Sequence, residues 1–147
     1  MSSHGSIIMD ELNKYKLERI ALLQSDFKRE TQLEMDSKNY IVHHEIKVLE
    51  GETNSQTNTF TIGLELDYKQ TTYTGLIQVS AKIVFVATFE IVGTPKPNID
   101  FFRKVNAPAQ IFPFIREHLA TMSVKASLQP ILLEPINFVE RHELNNV

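Results

Sequence analysis

The sequence predicts an α+β domain, with antiparallel strands first and a long helix after them. Three observations carry this. From Tyr73 to Val92 apolar residues fall on odd positions (Tyr73, Ile77, Val79, Ala81, Ile83, Phe85, Ala87, Phe89, Ile91) and polar ones on many even positions, the period of a half-buried strand. After the break "GTPKPN" (Gly93 to Asn98) the period changes, and Ile111, Phe114, Ile115, His118, Leu119 and Met122 form a helical stripe. The segment "LQPILLEPINF" (Leu128 to Phe138) is apolar yet carries Pro130 and Pro135. Those prolines exclude a helix interior and a central strand, so the segment must lie extended against something.

Taken in order, the elements begin with an ambiguity. Between Asp10 and Met35, the spacing of Leu12, Tyr15, Ile20, Leu23 and Phe27 and the propensities of "DELNKYKLERIALLQ" favour a helix over a strand. Tyr40 to Glu50 reads as a strand with Val42, Ile46 and Val48 inward, followed by a polar loop, "GETNSQTN" (Gly51 to Asn58). Phe60, Ile62, Leu64, Leu66 and Tyr68 share one face of the next strand, and "KQTT" (Lys69 to Thr72) is the expected hairpin turn. The run from Tyr73 to Val92 is either one bent strand or two, and Val84 and Val86 interrupt its polar face. Asn106 is the expected cap of the helix "APAQIFPFIREHLATMSV", with a kink or second start expected at Pro113.

At 147 residues the chain has the size of one domain, read here as a tail over residues 1–10 and a domain over 11–147. A chain of this length buries roughly 68–70% of its unfolded surface, enough for a core without staples. It contains no cysteine, which removes a disulfide scaffold, a thiolate nucleophile and a Cys-based zinc site. The net charge is -3 and no Lys/Arg stripe forms, so nucleic acid is not an expected partner. No apolar run reaches the ~20 residues that span a bilayer, so no direct membrane insertion is expected. "MSSHGS" has no signal-peptide apolar region, and the chain reads as cytoplasmic.

Chemistry-bearing motifs are missing. The glycines (5, 51, 63, 75, 93) are scattered singly, and neither GxSxG nor HExxH occurs. His43 and His44 are adjacent on a strand, so they point to opposite faces and cannot share one ion. Glu134, between Leu133 and Pro135, is expected to face water. The reading is therefore not an enzyme, with no catalytic residue, no metal and no cofactor.

The stretch "NAPAQIFPFIREHLATMSVKASLQPILLEPINF", Asn106 to Phe138, resembles the SecB family of protein-export chaperones. The resemblance rests on Phe112-Pro113-Phe114-Ile115-Arg116-Glu117 in the helix. It rests equally on Pro130-Ile131-Leu132-Leu133-Glu134-Pro135-Ile136-Asn137-Phe138 in the connector. It covers about a quarter of the chain, and "YTGLIQVSAKIVFVATFEIVG" is similar to the family's last long strand. The resemblance implies a four-stranded antiparallel sheet followed by a long C-terminal helix and an extended connector. It makes the region near "LERIALLQSDFKRE" the first strand, against its local helix propensity. It implies a homotetramer (a dimer of dimers) acting as an ATP-independent holdase for unfolded preproteins or other non-native polypeptides, with SecA as the export partner.

The client groove is then expected among Phe101, Phe102, Phe112, Phe114, Met122, Leu132, Ile136 and Phe138. Within this set the helical stripe (Phe114, Met122) leans towards packing and the connector (Leu132, Ile136, Phe138) towards the groove. Phe138→Asp is accordingly expected to weaken client binding more than folding, and Phe114→Asp the reverse. Gln78 stands where the family carries an acidic residue, and Lys28 and Arg29 lie beside Asp26 and Glu30. A stand-alone or toxin–antitoxin-associated SecB-like chaperone is therefore the alternative. A small apolar ligand carrier is the reading from a different class.

Overall fold

The computed structural model describes residues 12–30 and 40–145. The tail expected over residues 1–10 lies outside the described residues. Four strands, β1 (Lys14–Arg29), β2 (Tyr40–Asn54), β3 (Thr59–Thr72) and β4 (Ile77–Val92), form one antiparallel sheet in the order β1-β4-β3-β2. A helical run follows: a single turn α1 (Ile99–Phe101), a π-helical stretch (Phe102–Asn106) and the long α2 (Ala107–Lys125). An extended connector then leads to α3 (Phe138–Asn145). This is the four-stranded sheet, long helix and connector that the resemblance implies.

β1 overturns the reading from propensity. It is a strand, as the resemblance implies, and its weak alternation has a structural cause. The register against β4 slips between Leu17 and Arg19 and again between Leu22 and Gln24. Each slip is a bulge carrying one unpaired residue, which flips the side chains after it to the other face. The residues paired with the inward positions of β4 are therefore Leu17, Ile20, Leu22, Ser25 and Phe27, opposite Phe89, Ala87, Phe85, Ile83 and Ala81. Their separations alternate between two and three, which imitates a helical repeat. Pairing with β4 satisfies the backbone of a segment that local propensity would have coiled.

β3 and β4 build the core. Phe60, Ile62, Leu64, Leu66 and Tyr68 from β3 meet Val79, Ala81, Ile83, Phe85, Ala87 and Phe89 from β4. Ile111, Phe112, Ile115 and Leu119 of α2 cover them. β4 is one continuous strand. On its other face Val84 is buried between its lateral neighbours Gln24 and Glu65, so that face has a covered centre.

Three local expectations change. The hairpin turn is residues 73–76, not Lys69 to Thr72, which stay in the β3 ladder. Gly75 supplies the positive φ (93°) that "KQTT" cannot, and the Thr72 hydroxyl accepts from the Leu76 N–H at 3.1 Å. The helical run starts at Asn98, whose side chain accepts from the Phe101 N–H at 3.0 Å, while Asn106 lies inside it and makes no cap bond. On β2, Ile46 is buried and Val48 half-buried, but Val42 is exposed, because α3 covers the strand only near its middle. β2 also runs on to Asn54, whose side chain closes the turn by accepting from the Gln56 and Thr57 N–H groups.

Candidate functional site

Two hydrogen bonds with α2 hold the connector extended. Ser123, fully buried in the last turns of α2, donates to the Ala120 carbonyl (2.8 Å) and accepts from the Ile131 N–H (2.9 Å). Arg116 donates through Nε to the Leu133 carbonyl at 2.6 Å. The prolines need no such partners. The result is a two-residue alternation in a segment that pairs with no strand. Ile131 is half-buried and Leu133 buried, both packed on the core, whereas Leu132 is 68% exposed and Glu134 faces water. Asn137 then caps α3 by accepting from the Glu140 N–H, and Arg141 donates to the Ile46 carbonyl, which fastens α3 to β2.

The eight expected groove residues occupy different environments. Phe102 is buried in an aromatic cluster, stacked on Tyr15 at 3.9 Å and edge-on to Phe60 and Phe89. Phe112 and Phe138 are buried against each other at 6.0 Å, with Phe138 only 4% exposed. Phe101 is half-buried, its ring perpendicular to that of His142. Met122 and Ile136 are half-buried. Phe114 and Leu132 are exposed. The expected contrast between Phe138 and Phe114 is therefore inverted. Phe138 opens α3 and turns into the core, while Phe114 projects from α2 with 43% of its surface exposed, beside Phe85 and His118. His118 Nε2 lies 2.7 Å from the Ser25 hydroxyl and so ties α2 to β1.

Other exposed apolar residues lie outside the groove set expected from the sequence. Leu17, Leu22 and Leu23 lie along β1, where the bulges hid the period. Tyr40, Ile41, Tyr73, Leu76 and Ile77 gather at the end of the sheet around the β3–β4 turn. Tyr73 lies in that turn and not in a strand.

The sheet face turned away from α2 holds an open concavity of about 940 Å³. Asp26, Glu45 and Asp67 line it beside Lys28, Lys69 and Lys82, and Lys82 pairs with Glu65 at 3.4 Å. Its charges are mixed rather than acidic. Gln78 is buried, accepts from Gln70 and makes no such face acidic. Tyr68 donates to the same Gln70 at 3.2 Å, and burial, with a smaller contribution from Tyr40, pushes its phenol up to about 12. Among the described residues no group of three or more His, Asp or Glu side chains is placed to hold a metal ion. Nor is any helix among them long and apolar enough to cross a membrane.

Among the described residues, apolar side chains stay exposed along β1, on the connector and around the β3–β4 turn. The chain belongs to the SecB family: the family model described as Preprotein translocase subunit SecB matches residues 27–145. It is a family of chaperones. Among curated relatives, the protein-export protein SecB of Bradyrhizobium diazoefficiens is 29% identical over 100 residues, 68% of this chain and 62% of the relative. That of Methylobacillus flagellatus is 40% identical over 50 residues, 34% of this chain and 32% of the relative. These matches span less than two thirds of the relatives' own length. Among solved structures, the fold is similar to that of a Mycobacterium tuberculosis SecB-like chaperone in complex with a ChAD peptide from the HigA1 antitoxin. The TM-score is 0.70 at 14% identity, over 84% of this chain and 91% of that one.

Proposed function

We propose that this protein is an ATP-independent holdase that binds unfolded or otherwise non-native polypeptides along its connector and strand edges, and is not an enzyme. The observation that carries this reading is the connector. Its backbone is pinned to α2 while Leu132 stays open to solvent, in a chain whose residues 27–145 match the SecB family. A binder of non-native chains needs apolar surface that monomers normally avoid exposing. It acts by mass action on the unfolded population. In the proposed groove Phe101, Phe114, Met122, Leu132 and Ile136 are the contact residues, and the buried Phe102, Phe112 and Phe138 form its floor. Adaptable Met and aromatic side chains suit clients of varied sequence.

The proposal extends to assembly as a homotetramer, a dimer of dimers, in the cytoplasm. It extends also to a single domain over residues 11–147 and to service in protein export. SecA is the proposed partner in export. A stand-alone or toxin–antitoxin-associated role is the second reading, favoured by the mixed charge of the outer sheet face. The test is light scattering from a chemically unfolded client diluted into buffer. Suppression at near-stoichiometric tetramer is expected, and scattering unchanged by the protein would sink the holdase. Titration with SecA separates the two roles: binding is expected in export, none in the stand-alone case.

A further inference from the structure

We propose that a niche between α3, the π-helical stretch and β2 binds a free tetrahedral oxyanion of the phosphate class, which bridges α3 to the helical run. The niche has a volume of about 230 Å³ and is lined by Val48, Lys104, Phe138, Arg141, His142 and Asn145. Lys104 stands in the π-helical stretch and Arg141 in α3. Neither makes an ion pair among the described residues. Arg141 donates to the Ile46 carbonyl, which uses one of the five N–H donors a guanidinium carries. Two cationic side chains thus share a cavity that no Asp or Glu lines, in a chain whose net charge is -3. Like charges facing one space repel, and an anion between them replaces that repulsion with two attractions.

Size and position select the ligand. Arg141 already takes the Ile46 carbonyl, so the edge of β2 is closed to an added strand at this point, and what fits is an ion inside the niche. At ~30 Å³ per water the niche holds roughly eight waters, room for one phosphate and part of its hydration shell. Drug-sized ligands need about 300–1,000 Å³. A guanidinium fork matches two oxygens of a phosphate, and a lysine ammonium meets a third as a point charge. Val48 and the buried Phe138 keep water from part of the wall, which strengthens both attractions. An ion held by Lys104 and Arg141 together ties α3, and with it Phe138 at its start, to the helical run.

Thermal unfolding of the full chain tests this, with sodium phosphate replacing sodium chloride at constant ionic strength. The melting temperature is expected to rise and saturate, by about 4 °C at ten times the dissociation constant. Hydrogen exchange of the α3 amides is expected to slow over the same range. Exclusion of phosphate from protein surfaces also stabilises, but without saturation and alike in every variant, so saturation and dependence on Lys104 identify the site. Lys104→Gln changes an exposed side chain and is expected to fold as the wild type while losing the saturable rise. Lys104→Arg is expected to keep it, and so is Lys125→Gln, at an exposed lysine outside the niche. A rise that never saturates, or one unchanged by Lys104→Gln, would overturn the site. Neither result touches the holdase reading, which light scattering tests separately.

Discussion

Ser123 has no exposed surface, and its hydroxyl serves two backbone groups at once, the Ala120 carbonyl and the Ile131 N–H. Ser123→Ala strands the Ile131 N–H at the start of the connector. The expected cost is about 1 kcal/mol, read by denaturant unfolding, because the N–H of a half-buried residue loses its acceptor on a fully buried side chain. Tyr68 is a second residue whose surroundings set its chemistry. The folded phenol keeps its proton to about pH 12, whereas an ordinary tyrosine loses it near 10.0. The raised value stabilises the fold fully below about pH 10, and that contribution is lost as pH rises through about 12. Unfolding free energy measured across this window is expected to fall in the wild type. The fall should be smaller in Tyr68→Phe, and an equal fall in both would assign it to other groups.

At the scale of elements, burial separates neighbours that the sequence could not rank. Phe138→Ala empties a core position against Phe112 and is expected to cost about 3–5 kcal/mol by thermal or chemical denaturation. Leu132→Asp changes an exposed side chain, so stability should stay within about 0.5 kcal/mol while client affinity falls. Equal loss of stability and binding in Leu132→Asp would remove the connector from the proposed groove. Gly93 joins β4 to the helical run at φ 66°, and a Cβ there would lie 2.2 Å from the Leu12 carbonyl oxygen. Gly93→Ala is therefore expected to lower the melting temperature by displacing the start of β1, which hydrogen exchange of β1 amides would report.

For the molecule as a whole, the two edges of the sheet differ. β2 is partly covered by α3, while β1 presents Leu17, Leu22 and Leu23 to solvent along an edge whose bulges disturb its pairing. Exposed apolar edges invite association unless a partner covers them. In the proposed tetramer Leu22 is shielded by another subunit. Leu22→Glu is expected to reduce the native mass from four chains to fewer, measured by light scattering after size exclusion. An unchanged mass would place the subunit contacts elsewhere.

The sequence by itself determined the family-bearing segment, the order of strands before helix, and the core faces of β3 and β4. Those features are local: a period of two, a period near 3.6, and prolines that forbid alternatives. The proline-held connector was legible as extended and apolar for the same reason. That β1 is a strand was legible only through the family resemblance and not through its own pattern, since two bulges scramble its period and pairing with β4 outweighs its helix propensity. Only the tertiary structure decided which connector residues face water. An extended chain turns its side chains to alternate sides, and the hydrogen bonds from Arg116 and Ser123 determine which side docks. Phe138 and Leu132 look alike in sequence, and the start of α3 turns the one onto Phe112 while the connector leaves the other open.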